Sequence, residues 1–337
     1  MSTLVSAPDL VASFPFPYSA DAYRYSTNIE PAGTEVRTPA GQWGRQVIHI
    51  DSEYRHELAE RQRILAADPT RHAALPHMRV ACWDTMLVLM TELATSYPES
   101  MTLTRDGEVW HWRNELLDIS QDFVVGDESS LPCEPLGYIA GQVQDDIVLL
   151  DQRDGDLFAD AGVVTFAAGW SFGFDVGMTF LEIHGPVPRL RESGVITRAR
   201  KFLMRLQPNQ IYRRTNWSMT VGRRLDVSTE TLPEWLSDKT ELDAIGDEEF
   251  GRLVHLRVEV QHLIRLAESG AICFLIRSYM LPLADIATVD EWRVRTASVL
   301  AELPEDMADY KGITAYRERS VDWLRSHNPA RADAESH

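Results

Sequence analysis

The chain has 337 residues, 44% hydrophobic and 25% charged, a globular composition in a chain long enough to bury a large core. Its 51 acidic and 33 basic side chains give a net charge of −18, which repels phosphate backbones and anionic lipid surfaces and argues against nucleic-acid or membrane-surface ligands. No apolar run approaches the roughly 18 residues of a membrane span, and no basic-then-apolar leader opens the chain. Cys82, Cys133 and Cys273 lie far apart with no C-x-x-C pair, so reduced thiols in a cytoplasmic protein are expected.

Residues 1–47 are rich in proline, glycine and aromatics (Phe14-Pro-Phe-Pro-Tyr18, Tyr23, Tyr25, Trp43), which predicts an extended arm packed on the body by its rings. Asp51-Ser52 reads as a capping pair for a helix that breaks at Asp68-Pro69. A second, largely apolar helix is expected over Val80 to Tyr97. The period then changes: Met101 to Trp112 alternates around Asp106-Gly107, and Asp146–Asp151 with Leu157–Ala168 flank the Arg153-Asp-Gly155 turn, giving two hairpins. Pro188 to Leu206 predicts an amphipathic basic helix, and Gln210 to Val221 a strand. Residues 226–250 are acidic and read as an irregular surface excursion. Long strands over Leu253–Leu266 and Ala271–Leu281 follow. Helices over Asp285–Glu302 and Tyr316–Ser326 close the chain, with a disordered tail over 328–337. Hairpins interleaved with helices indicate an α+β fold on an antiparallel sheet, one continuous unit over 48–327.

The familiar fingerprints of nucleotide, serine-hydrolase and zinc-protease chemistry are absent from the sequence. His255 and His262 are seven apart, so a strand points them to opposite faces. His184 stands out, because Gly185-Pro-Val-Pro188 follows it. Proline fixes φ, removes an N–H and pushes the preceding residue toward extended geometry, which ends an element at the imidazole. A lone histidine can hold a haem, since the porphyrin supplies the other four nitrogens and the protein adds one axial donor and an apolar slot; Met178, Phe180, Leu181 and Ile183 could line it. A histidine bonded to a turn carbonyl explains the same residues. Arg214, Arg224, Arg257 and Arg277 interrupt apolar or strand-like runs and are candidates to meet propionates, with pairing across the sheet as the alternative. Trp217 and Tyr279 suit a core or a pocket wall.

Several separated motifs occur in one order: Phe14-Pro-Phe-Pro-Tyr18, Trp43 with Asp51-x-x-Tyr54 and Arg61, Gln144-Asp-Asp-Ile-Val-Leu-Leu150, Gly169-Trp170, Ile183-His-Gly-Pro-Val-Pro188, Arg214-Thr-Asn-Trp217, Leu256-Arg-Val-Glu259 and Ile276-Arg-Ser-Tyr279. This set resembles the haem-dependent oxidative N-demethylase family, most closely its dimethylamine monooxygenase α subunits, over about residues 14 to 325. The resemblance implies a PAS-like haem-binding core with helical embellishments and a b-type haem on His184. It also implies NADPH-derived electrons from a flavin and iron–sulfur reductase subunit, together with small accessory subunits. The implied reaction uses O₂ to oxidise an N-methyl group of a small alkylamine such as dimethylamine, releasing formaldehyde and the demethylated amine. One departure lies at Asp175, where the family often carries a basic residue. Asp175 or Glu259 would suit the cation of a protonated amine, and Tyr279 could offer a hydroxyl to bound oxygen or amine. A haem-based gas or redox sensor is the alternative reading.

Overall fold

The computed structural model of the protein describes residues 7–190 and 192–327. The tail expected over 328–337 lies outside the described residues. Strands are β1 (Glu30–Pro31), β2 (Val36–Thr38), β3 (Gly41–Trp43), β4 (His72–Ala74), β5 (Met101–Asp106), β6 (Val109–Asn114), β7 (Ile119–Val124), β8 (Asp146–Arg153), β9 (Asp156–Val163), β10 (Ile211–Val221), β11 (Val254–Arg265) and β12 (Ile272–Pro282). Helices are α1 (Ala7–Ser13), α2 (Tyr54–Ala67), α3 (Arg79–Ser96), α4 (Pro135–Ala140), α5 (Phe172–Asp175), α6 (Phe180–Ile183), α7 (Val195–Leu203), α8 (Leu232–Thr240), α9 (Asp247–Leu253), α10 (Leu283–Ile286), α11 (Asp290–Glu302), α12 (Glu305–Tyr310) and α13 (Thr314–Ser326). Seven strands form one antiparallel sheet in the order β1-β10-β11-β12-β8-β9-β4, and β5-β6-β7 make a separate three-stranded sheet.

Both predicted hairpins form, because Gly107, Asp154 and Gly155 take the positive φ that tight reversals between twisted strands require. The turn from β11 to β12 is held by Asp84, whose Oδ2 accepts from the backbone N–H groups of Glu268 and Ser269. Eleven of the twelve residues of β11 are buried, as expected of a central strand covered on both faces.

Register assigns the faces. Glu259 pairs with Asn216 and Ser278, Gln261 with Arg214 and Ile276, and Arg257 with Ser218 and Met280, so these side chains share one face. This first face also carries Leu263, Phe274, Val148 and Leu150, packed with Phe172, Phe180, Ile183 and Leu203. The second face carries Val258, Tyr279, Arg277, Leu256 and Leu281. One end of that face packs on α3 through Ile147, Leu149 and Leu275. The other end packs on α11 and α13 through Trp292, Leu300, Tyr316 and Leu324.

Several expected boundaries move. The helix foreseen over Pro188–Leu206 spans only Val195–Leu203, since Pro188 and the positive φ of Arg189 and Gly194 keep the chain in turns first. The 226–250 segment is not irregular: α8 and α9 form there, with Pro233 in the first turn of α8 and three acids in the first turn of α9. Asp285–Glu302 is split into α10 and α11 around Ala287–Val289. Glu53, not Asp51 or Ser52, sits at the start of α2; Asp51 accepts from the Glu53 N–H instead. The arm is extended only in part, since it holds α1 and β1–β3. Phe14 and Phe16 lie against Trp292, with Phe16 stacked at 4.8 Å.

β8 pairs with β12 only from Ile272 to Ile276. Beyond that point α2 covers the open edge. Its Arg61 donates to Asp146, Thr165 and three backbone carbonyls, and its Glu57 pairs with Arg277.

Candidate functional site

The segment carrying His184 is stretched across the first face of the sheet. At one end Thr179 bridges to Phe158 of β9, and at the other the Tyr25 hydroxyl donates to the Pro188 carbonyl at 3.3 Å. Within it, α6 is only four residues long, and a capping box holds it: Glu182 N–H donates to Thr179 Oγ1 at 3.2 Å while Thr179 N–H donates to Glu182 Oε2 at 2.8 Å. His184 follows as the C-cap. Gly185 and Pro186 then prevent another turn.

The His184 Nδ1 lies 2.8 Å from the Phe180 carbonyl, which makes it the protonated nitrogen. The Phe180 ring packs 4.3 Å from the imidazole. Burial lowers the pKa to about 4; the Phe180 bond opposes that and Arg214 adds to it, so the ring is neutral at pH 7. Nε2 therefore carries a free lone pair and has no protein partner among the described residues. A neutral imidazole whose Nδ1–H is fixed by a carbonyl, beside an apolar wall, suits a single axial donor to a metal in a planar macrocycle.

The same face of the sheet carries a polar ladder on β10 and β11, whose Arg214 charge bears on the imidazole. Arg214 donates from Nε to the Thr27 carbonyl (3.1 Å) and from Nη1 to Gln261 Oε1 (2.9 Å), and its Nη2 has no protein partner among the described residues. Glu259 Oε2 accepts from Gln261 Nε2 at 2.9 Å and Asn216 Nδ2 at 3.3 Å. Its Oε1 lies 3.7 Å from Arg257 Nε. The group can thus offer a guanidinium edge and an oriented carboxylate to whatever the imidazole holds.

The other candidates lie elsewhere or are already engaged. Arg257 is fully buried and donates to the carbonyls of Leu225 and Phe166 and to Ser278 Oγ. Arg277 lies on the second face, bonded to Asp51 Oδ2 at 2.6 Å and Glu57 Oε2 at 2.8 Å. Tyr279 shares that face, under the Arg277 guanidinium and 3.0 Å from His49 Nδ1. Arg224 is at the surface with Asp238 and Glu234. Asp175 is buried in α5, and desolvation pushes its pKa up to about 6, with Glu230 adding to the rise. No hydrogen bond or ion pair joins Asp175 to His184 or Arg214 among the described residues. Trp217 pairs with Val258 and so lies on the second face, away from the ladder, its ring edge-on to Tyr18 at 5.2 Å.

Sequence reasoning passed over Tyr25, Asn216 and Gln261 as site residues. The last two are two positions from Arg214 or Glu259 on their own strands, so strand alternation pointed to them. The first comes from the arm, with no local signal. His77, Asp151 and Asp160 hold ligand atoms within 4.8 Å of one another, but Arg153 bonds both carboxylates and supplies the positive charge there.

Among the described residues no helix is long and apolar enough to cross a membrane. Residues 40–321 match the model of the family described as haem-dependent oxidative N-demethylase, alpha subunit-like, and the chain belongs to that family.

Proposed function

We propose that the chain is the catalytic haem-binding subunit of a monooxygenase that removes a methyl group from a small alkylamine such as dimethylamine. The observation that carries this reading is the free Nε2 of a neutral, carbonyl-anchored His184 in the field of Arg214, whose sheet face also bears Glu259. When bound, a b-type haem supplies dioxygen activation and the oxidation of an N-methyl C–H bond. His184 would hold its iron through Nε2, Arg214 Nη2 would meet a propionate, and Phe180, Ile183, Tyr212 and Phe274 would exclude water from the slot. Glu259, oriented by Asn216 and Gln261, would hold the protonated amine. In the hydroxymethylamine so formed the C–N bond would break, the hydroxyl proton passing to the amine nitrogen as formaldehyde leaves.

The antiparallel sheet with the short helices α5–α7 laid across its first face supports a PAS-like arrangement, in one unit over 48–327 with the arm over 1–47. Electrons would come from NADPH through a flavin and iron–sulfur reductase subunit, with smaller accessory subunits in a cytoplasmic complex; the alpha subunit-like family description supports an assembly of several chains.

The test is a haem titration of the full-length chain followed by the Soret band, with formaldehyde release measured after adding amine, NADPH and a reductase. His184→Ala is expected to bind haem weakly or with altered ligation. An unchanged spectrum and full turnover in that variant would overturn the assignment.

A further inference from the structure

Lys311 has the surroundings of a bound alkylammonium ion. It caps the C-terminal end of α12, and its Nζ donates to the Trp217 carbonyl at 2.6 Å while lying 4.4 Å from the centroid of the Trp217 ring. Burial destabilises this charge, the Glu259 carboxylate supports it, and Arg214 opposes it. The hydroxyl of the adjacent Tyr310 also lies within the field of Glu259. An indole face and a carbonyl oxygen are features by which proteins recognise alkylated ammonium groups. A lysine head group is itself a primary alkylammonium on a flexible four-carbon tether.

The fit is incomplete. An ammonium has three donors, and among the described residues Lys311 makes a single hydrogen bond. It is desolvated without being fully repaid in contacts, so its hold on the site is weak. A second cation could not join it, because two like charges in a desolvated site repel strongly.

We propose that the Trp217 indole face and the Trp217 carbonyl form an ammonium subsite, that the Lys311 side chain fills it in the free protein, and that a small protonated alkylamine binds there by displacing Lys311. This rests on the alkylamine reading above. Lys311 is then a specificity-determining residue: an amine binds only if it outcompetes a tethered primary ammonium, and its apparent affinity is reduced by the fraction of protein in which Lys311 is seated.

Two measurements on the full-length, haem-loaded chain test this. Dimethylammonium chloride is titrated calorimetrically into wild type, Lys311→Met, Lys311→Gln and the Lys311→Met/Trp217→Leu double variant, with sodium chloride as the ionic control. Both single variants are expected to bind dimethylammonium roughly tenfold more tightly, as removal of a competitor seated in about nine molecules of ten requires, and the double variant should lose that gain. The chain has three lysines, Lys201, Lys239 and Lys311, so ¹³C-lysine labelling resolves each ε-methylene in wild type, with the haem-free chain as diamagnetic control. The Lys311 signal, recognised by its absence in Lys311→Met, should start at the upfield position imposed by the indole ring and lose that shift as dimethylammonium saturates. Unchanged affinity in the folded variants, or a Lys311 signal that stays on the ring at saturation, overturns the subsite. Formaldehyde release is followed in parallel. Turnover with an unmoved Lys311 removes this proposal and leaves the demethylase reading, whereas displacement of Lys311 without turnover removes the demethylase reading and leaves the subsite.

Discussion

Asp145 ends the approach to β8 with both carboxylate oxygens buried and without partners. Desolvation pushes its pKa up to about 7 despite the opposing charges of Arg277 and Arg61. An unfolded aspartate titrates near 3.9, so folding favours the protonated form. The contribution of this group to stability is full below about pH 4 and is lost as pH rises toward 7. Asp145→Asn is neutral at every pH. Its stability relative to wild type should therefore rise between pH 4 and 8, by on the order of 2 to 4 kcal/mol, in urea unfolding curves. A flat difference across that range would show that the carboxyl is not desolvated in solution.

The arginines separate by environment in the same way. Arg214→Ala should speed haem transfer to an apo-globin acceptor, since a lost charged hydrogen bond costs roughly 1.5 to 3 kcal/mol. Arg224→Ala, at the surface with Asp238 and Glu234, should leave that rate unchanged. Arg277→Ala would strand Asp51 and Glu57 beneath the sheet edge, so its effect should appear first as about 3 to 5 kcal/mol of lost stability. Equal haem-loss rates for Arg214→Ala and wild type would remove Arg214 from the propionate role.

Among the elements, α6 is too short to form unaided. A four-residue helix has little backbone ladder of its own, and nucleation is costly. Its capping box and the bond from His184 Nδ1 to the Phe180 carbonyl hold it instead. Thr179→Ala removes the cap at a cost of roughly 0.5 to 2 kcal/mol. Hydrogen exchange over 180–184 should accelerate while the sheet amides keep their protection, and haem affinity should fall with it. Unchanged exchange in α6 would mean that Pro186 and Pro188 alone hold the segment.

At the scale of the whole molecule, the arm joins elements that are distant in sequence. Phe14 and Phe16 lie against Trp292, the Thr27 carbonyl accepts from Arg214, Asn28 donates to Thr215, and Tyr25 reaches Pro188. Phe14 is fully buried, so Phe14→Ala should cost about 3 to 5 kcal/mol. It should also increase proteolysis within residues 14–31. Wild-type resistance to protease would show that β1 pairing and the polar contacts hold the arm without its rings.

Some of this architecture could be read directly from the chain. Alternation with period two, broken at Asp106-Gly107 and Asp154-Gly155, specifies hairpins because Gly107, Asp154 and Gly155 readily take the positive φ the turns require. Gly185-Pro186 and Pro188 bar a helix after His184 for reasons of covalent geometry, and the placement of that histidine at the end of a short element follows locally. What Arg214, Arg257 and Arg277 do could not be read this way. Each sits in a similar strand context, and its partners depend on register with a neighbouring strand and on where β8 stops beside β12. That choice put Glu259 and Arg214 on the face crossed by the His184 segment and left Arg277 and Tyr279 on the other. Lys311 comes to Trp217 from 94 residues further along the chain; only the packing of α12 and α13 against the sheet decides that contact, because no periodicity records a distance between elements.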